Sequence, residues 1–172
     1  MPWLGYFDKM DRADCFVLLD NVQFKKNEWQ NRNRIKTATG TQWLTVPVNY
    51  RFPQKISEVL LPEAGNWRRK QMQALRTNYS RAQCWKEAEG LLTSFYDREW
   101  KELAAINLAS IDMIAAILEI KTELRWASSM NLRDDPTDRL LDICSTLGAD
   151  TYLSGAVGRE YLQLERFATA GV

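Results

Sequence analysis

The stretch SSMNLRDDPTDRLLDICSTLGAD, at residues 128–150, carries a full set of helix punctuation between two short apolar runs. Asp135 stands before Pro136, the pairing of an N-cap with a proline at the first helical position. Leu140, Ile143, Cys144 and Leu147 recur at helical spacing, and Gly148 supplies a stop. A helix over 136–147 flanked by apolar runs at 122–127 and 149–153 predicts a strand–helix–strand unit. Such crossovers place their strands parallel and right-handed. The buried-looking run at 15–19 is expected in the same sheet. The fold class is therefore α/β, with a mostly parallel sheet.

The middle of the chain changes character. After a further strand at 41–48, which Pro47 places at an edge, residues 55–61 alternate enough for a short strand. Asn66 is a candidate N-cap for a basic helix over 67–79, followed by an amphipathic helix over 82–96 and a long apolar one over 99–120. Leu103, Ile106, Ile114 and Ile117 of the last are expected to be largely buried. Residues 66–120 thus read as a helical insertion packed on the sheet, and 1–172 as a single domain. Helical turns are expected at 6–13 and a helix at 159–169.

Composition removes several chemistries. The 172 residues include no histidine, which excludes a His-based triad and ordinary imidazole catalysis in this chain. Cys15, Cys84 and Cys144 are isolated in apolar contexts and read as buried reduced thiols. No metal site and no cofactor are expected. Nothing resembles a secretory signal or a membrane span, so the chain reads as cytoplasmic. Residues 1–86 carry 15 Lys/Arg and 7 Asp/Glu, while 87–172 carry 8 and 15. That asymmetry suits one anion-facing side, or two halves that attract each other. The acidic half and the lack of a nucleic-acid-binding motif argue against an RNA-binding module using the basic helix and Lys25-Lys26, so no nucleic acid is expected. Homo-oligomerisation is left open.

The segment DNVQFKKNEWQNRNRIKT, residues 20–37, is the candidate site. Read as a connection, it admits two accounts. Its amides and arginines satisfy local backbone and surface carboxylates, or they recognise a polyhydroxylated anion. Gln23, Asn31 and Asn33 offer donors and acceptors to hydroxyls. Arg32 and Arg34 fit phosphate or carboxylate, and Trp29 can stack on a sugar or base. In parallel sheets ligands lie off the carboxyl ends of strands. The polar exits Asp20-Asn21, Ser128-Ser129 and Ser154-Gly155 are therefore candidates, with Asp20 as catalytic base or as a strand-end cap. Asp138 and Arg139 could hold substrate or each other. Ser129, Ser154, Gly155 and Tyr161 complete the set of candidate binding residues.

Four stretches in order, PWLGYFDKM, LDNVQFKKNEWQNRNRIKT leading to WLTVPV, DRLLDICSTLGADTYLSG, and GREYL with FATAG, resemble the bacterial WbqC-like protein family. The resemblance spans essentially the whole chain, and Trp29 to Arg34 is its specific core. Members usually add an N-terminal strand ending in a His-Gln-Pro type motif and a further C-terminal segment, so the chain is expected to be a family core lacking both. The family is associated with surface-polysaccharide and O-antigen clusters. The resemblance implies binding of a nucleotide- or lipid-linked sugar, or of an acyl donor, by an acyl or aminoacyl (glycine-type) transferase. The alternative is a non-catalytic scaffold for a glycan-assembly enzyme.

Overall fold

The computed structural model describes residues 1–172, the Ala156 side chain excepted. In chain order the elements are α1 (Leu4–Asp11), β1 (Cys15–Leu18), β2 (Arg32–Thr37), β3 (Gly40–Thr45), α2 (Trp67–Tyr79), α3 (Trp85–Asp97), α4 (Leu103–Ile117), β4 (Glu123–Trp126), α5 (Pro136–Leu147) and α6 (Leu164–Ala170). The fold is mixed α/β. Its strands form a parallel pair, β1 with β4, and a separate antiparallel hairpin, β2 with β3. The chain divides into two compact units. One comprises Met1–Leu4 with Val22–Glu119, the other Gly5–Asn21 with Ile120–Val172.

In the first unit the hairpin turns at Gly40, whose φ of 141° lies where side chains are not tolerated. The register pairs Arg34 with Trp43 and Asn33 with Leu44. Successive strand residues point to opposite faces. Ile35 and Leu44 therefore share the inner face, packed on Met72, Leu75, Trp85, Leu92 and Tyr96 of α2 and α3. Arg32, Arg34, Lys36 and Trp43 share the outer one. A buried polar relay fixes this docking. The Tyr96 hydroxyl donates to Gln71 Oε1 (2.9 Å), and Gln71 Nε2 donates to the Thr45 carbonyl (2.7 Å). Burial pushes the Tyr96 phenol up to about 12, so it stays a donor across the physiological range. At the other end of β2, the Lys36 N–H donates to the Tyr79 hydroxyl at 2.9 Å.

A second core in this unit gathers Phe24, Val59, Leu61, Leu103 and Ile106. The strand expected at 55–61 is instead a 3-10 turn, Ile56–Glu58, followed by isolated bridges at Leu60. Glu58 accepts the Lys55 N–H at 2.8 Å and closes that turn, which the apolar residues Ile56, Val59, Leu60 and Leu61 concealed. The three helices of the insertion form, with α2 spanning the residues expected. Asn66 stands at its N-cap but makes no side-chain cap bond. The last helix is shorter than 99–120. Leu103 and Ile106 are buried and Ile114 half-buried, whereas Ile117 is 56% exposed, because the helix unwinds at Leu118 just beyond it.

In the second unit β1 and β4 pair residue for residue from Cys15↔Glu123 to Leu18↔Trp126. Helix α5 spans the residues expected. Asp135 Oδ1 accepts from the N–H groups of Thr137 and Asp138 (3.0 and 2.9 Å), and Gly148 closes the helix with a left-handed φ of 64°. Removing that cap by Asp135→Ala should cost about 1 kcal/mol, read as a lower denaturant midpoint at unchanged slope.

The returning strand expected at 149–153 does not form, and with it goes the crossover between 124–127 and 151–153. Tyr152 of this segment stacks on Phe167 of α6 (5.5 Å) and lies under Lys9 (5.5 Å). Tyr152 joins the core through its ring, whereas Leu153 is exposed, and no ladder forms. The parallel connection runs instead from β1 to β4. The helix expected at 159–169 is a 3-10 turn, Ala156–Glu160, and then α6. Cys144 is buried and Cys15 half-buried, and burial raises both thiols, with Glu123 adding to the effect at Cys15. Cys84, expected to be buried, is exposed.

Candidate functional site

The amide–arginine segment is half strand, not a loop. Trp29 and Gln30 close a turn, and β2 begins at Arg32. Asn31 anchors that start. Its Nδ2 donates to the Val46 carbonyl (2.8 Å) and its own carbonyl accepts the Val46 N–H (2.8 Å). Asn107 Nδ2 donates to the Gln30 carbonyl (2.9 Å), and Gln30 Oε1 accepts the Lys25 N–H (2.8 Å). Asn33 Nδ2 donates to the Met1 carbonyl (2.8 Å). These amide groups are thus bonded to backbone partners. Gln23 is exposed, its backbone bridged to Lys55.

The arginines stand differently. On the outer face of the hairpin the Arg32 guanidinium lies 4.2 Å from the ring centre of Trp43, and Arg34 lies 4.9 Å from the same ring. Arg34 is also 5.4 Å from Trp29. The two indoles approach to 5.3 Å at an interplanar angle of 49°. The quadrupole of an indole attracts a cation over its face, worth about 0.5–1 kcal/mol at an exposed site. Arg32 also donates to the Asn27 carbonyl. Neither guanidinium forms an ion pair among the described residues. The buried Nε of Arg32 and Oδ1 of Asn31 have no hydrogen-bond partner among them either. The face therefore presents two neighbouring positive charges, unneutralised and braced by aromatic rings.

In the second unit the carboxyl ends of β1 and β4 lie side by side. Asp20 is buried, and its Oδ1 accepts the Ser128 N–H at 2.9 Å. Asn21 Nδ2 donates to the Ala127 carbonyl at 3.4 Å, and Ser129 Oγ donates to the Trp126 carbonyl at 2.7 Å. Asp138 and Arg139 do not hold each other. Asp138 takes Arg133 (3.1 Å) and Arg166, while Arg139 reaches Asp134 (3.6 Å). Arg133 chelates Asp142 at 2.6 Å, and that hydrogen bond draws the Asp142 carboxyl below its ordinary value. A 340 Å³ hollow beside this pair is lined by Asn131, Leu132, Arg133, Asp142, Ser145 and Thr146. Ser154 donates to its neighbour Gly155's carbonyl at 2.9 Å, and Tyr161 is exposed. A side chain at Gly158 would collide with Ser154 Oγ, so that glycine accommodates the chain itself.

The profile of the WbqC-like protein family matches residues 1–172. The chain belongs to the WbqC-like protein family. Over 165 residues it is 38% identical to the uncharacterised protein Rv1507c of Mycobacterium tuberculosis (strain ATCC 25618 / H37Rv), covering 94% of this chain and 71% of that protein. No solved structure matches. WbqC-like membership suggests a role in polysaccharide-associated biosynthesis. Among the described residues of this WbqC-like chain, no helix is long and apolar enough to cross a membrane.

Sequence reasoning grouped Trp29, Arg32 and Arg34 but missed Trp43. The available signal was the two-residue alternation of RNRIKT against GTQWLT, which sets Trp43 opposite Arg34 once the hairpin is recognised.

Proposed function

We propose that the outer face of the hairpin binds an activated donor in surface-polysaccharide assembly, a nucleotide- or lipid-linked sugar or an acyl donor, for acyl or aminoacyl (glycine-type) transfer. The observation that carries this reading is the pair of guanidiniums over Trp43 that form no ion pair among the described residues. Two like charges held this close repel, and an anion seated across them relieves that repulsion. Activated donors are phosphorylated, and a guanidinium fork fits phosphate bidentately. Hydroxyls and rings of the donor suit the exposed indoles. The family's suggested place in polysaccharide-associated biosynthesis agrees with such a ligand.

In the second unit Asp20 remains the proposed base. One of its oxygens is held by the Ser128 N–H, which orients the carboxylate, and the other is the atom proposed to take the proton. Ser129, Asp138, Arg139, Ser154, Gly155 and Tyr161 remain proposed binding residues of that unit.

A thermal-shift screen of nucleotide-sugars, acyl-CoA and aminoacyl donors tests the reading. A ligand at a hundred times its dissociation constant stabilises by about 2.7 kcal/mol, so a saturable rise in Tm with at least one donor is expected. No shift with any donor at millimolar concentration refutes it.

A further inference from the structure

The two indoles of the hairpin face are not equivalent. Trp43 carries both guanidiniums, at 4.2 and 4.9 Å, whereas Trp29 has Arg34 alone at 5.4 Å and is the more exposed, 57% against 41%. A third ring cannot enter between them. Stacking on both sides needs near-parallel planes about 7 Å apart, twice an ordinary carbon contact, and these rings stand 5.3 Å apart at 49°. A ligand ring must therefore stack on Trp29 from outside. The rest of the face, Arg32, Arg34, Lys36, Thr41 and Thr45, is polar. Leu44 and Ile35 are turned inward to the core and leave no track for a hydrocarbon tail.

We infer that the hairpin takes a nucleoside diphosphate, its base stacked on Trp29 and its diphosphate on Arg32 and Arg34, with Trp43 as a positioning residue for the two guanidiniums. This rests on the reading of the hairpin as the donor site and names the part of the donor it recognises. A diphosphate also occurs in lipid-linked sugars, so the ring on Trp29 and the polar surroundings are what select the nucleoside source. Stacking of a base on an aromatic side chain is worth about tenfold or more in affinity.

Isothermal titration of the full chain separates the contributions. The probes are UDP, GDP, ADP, CDP and dTDP, inorganic pyrophosphate, and a polyprenyl diphosphate in detergent micelles. At least one nucleoside diphosphate should bind about tenfold or more tightly than pyrophosphate. Trp29→Ala should abolish that margin, weakening nucleoside diphosphate far more than pyrophosphate, and Trp29→Phe should restore it. Trp43→Leu should weaken nucleoside diphosphate and pyrophosphate alike, with Trp43→Phe recovering both. Equal binding of nucleoside diphosphates and pyrophosphate overturns the inference alone. So does a Trp29→Ala loss shared equally by pyrophosphate, an intact pyrophosphate affinity in Trp43→Leu, or a preference for the polyprenyl diphosphate. Binding of none of the probes overturns the inference, and the donor-site reading falls with it when acyl-CoA and aminoacyl donors give no thermal shift either.

Discussion

Replacing Phe24 with alanine should lower the free energy of unfolding of the first unit by about 3–5 kcal/mol. Phe24 is fully buried among Val59, Leu61, Leu103 and Ile106, with Tyr50 edge-on at 5.0 Å. The cost of such a truncation depends on how far the surroundings collapse into the space left. Here they are pinned. The Phe24 N–H donates to the Gln54 carbonyl (2.8 Å), Leu103 to Val59 (2.9 Å), and Leu61 to Lys101 (2.8 Å). Collapse would break backbone hydrogen bonds, so the upper part of the range is expected. Domains are stable by only about 5–15 kcal/mol, which makes this a large fraction of the total. Urea unfolding followed by tryptophan fluorescence measures it, and a loss below about 1 kcal/mol contradicts the assignment of Phe24 to the core.

Helices whose ends are chemically marked were legible at the level of single residues. Asp135-Pro136 and Gly148 bound α5 as the structure has it, and the helical periodicity of 67–79 bounds α2. Strands were legible where apolar residues ran together, as in β1, or alternated with polar ones, as in β4 and in β3 within the strand expected at 41–48. In β2 Ile35 is the single large apolar residue of RNRIKT, and its inward direction becomes evident only against Leu44 on the next strand. The run at 149–153 erred the other way. Whether an apolar segment joins a ladder depends on a partner elsewhere in the chain, and Tyr152 finds a ring, not a strand.

The same logic applies to the site. Trp29, Arg32 and Arg34 are neighbours in sequence and in space, so their association was visible. Trp43 joins them through cross-strand register, which no local pattern contains. Asp138 and Arg139 were adjacent in sequence, yet on a helix consecutive residues point apart. Each therefore found its partner elsewhere, Asp138 in Arg133 and Arg166, and Arg139 in Asp134.

The second large effect concerns the arginines. Losing one charge-assisted contact costs on the order of 1.5–3 kcal/mol, so Arg32→Ala and Arg34→Ala should each weaken donor binding by roughly ten- to a hundredfold. Their effects on stability should differ. Arg32 holds the Asn27 carbonyl and its removal frees that turn, whereas Arg34 is exposed and has only the indoles for company. Arg34→Ala is therefore the clean probe of whether this face exists for a ligand or for the fold. The decisive measurement is the dissociation constant of the best activated-sugar donor for the native protein and for Arg34→Ala, with Tm recorded on the same samples. Affinity weakened by roughly ten- to a hundredfold at nearly unchanged Tm is expected. Unaltered affinity accompanied by a marked fall in Tm would show the arginine–tryptophan face to be a brace for the hairpin and contradict the account.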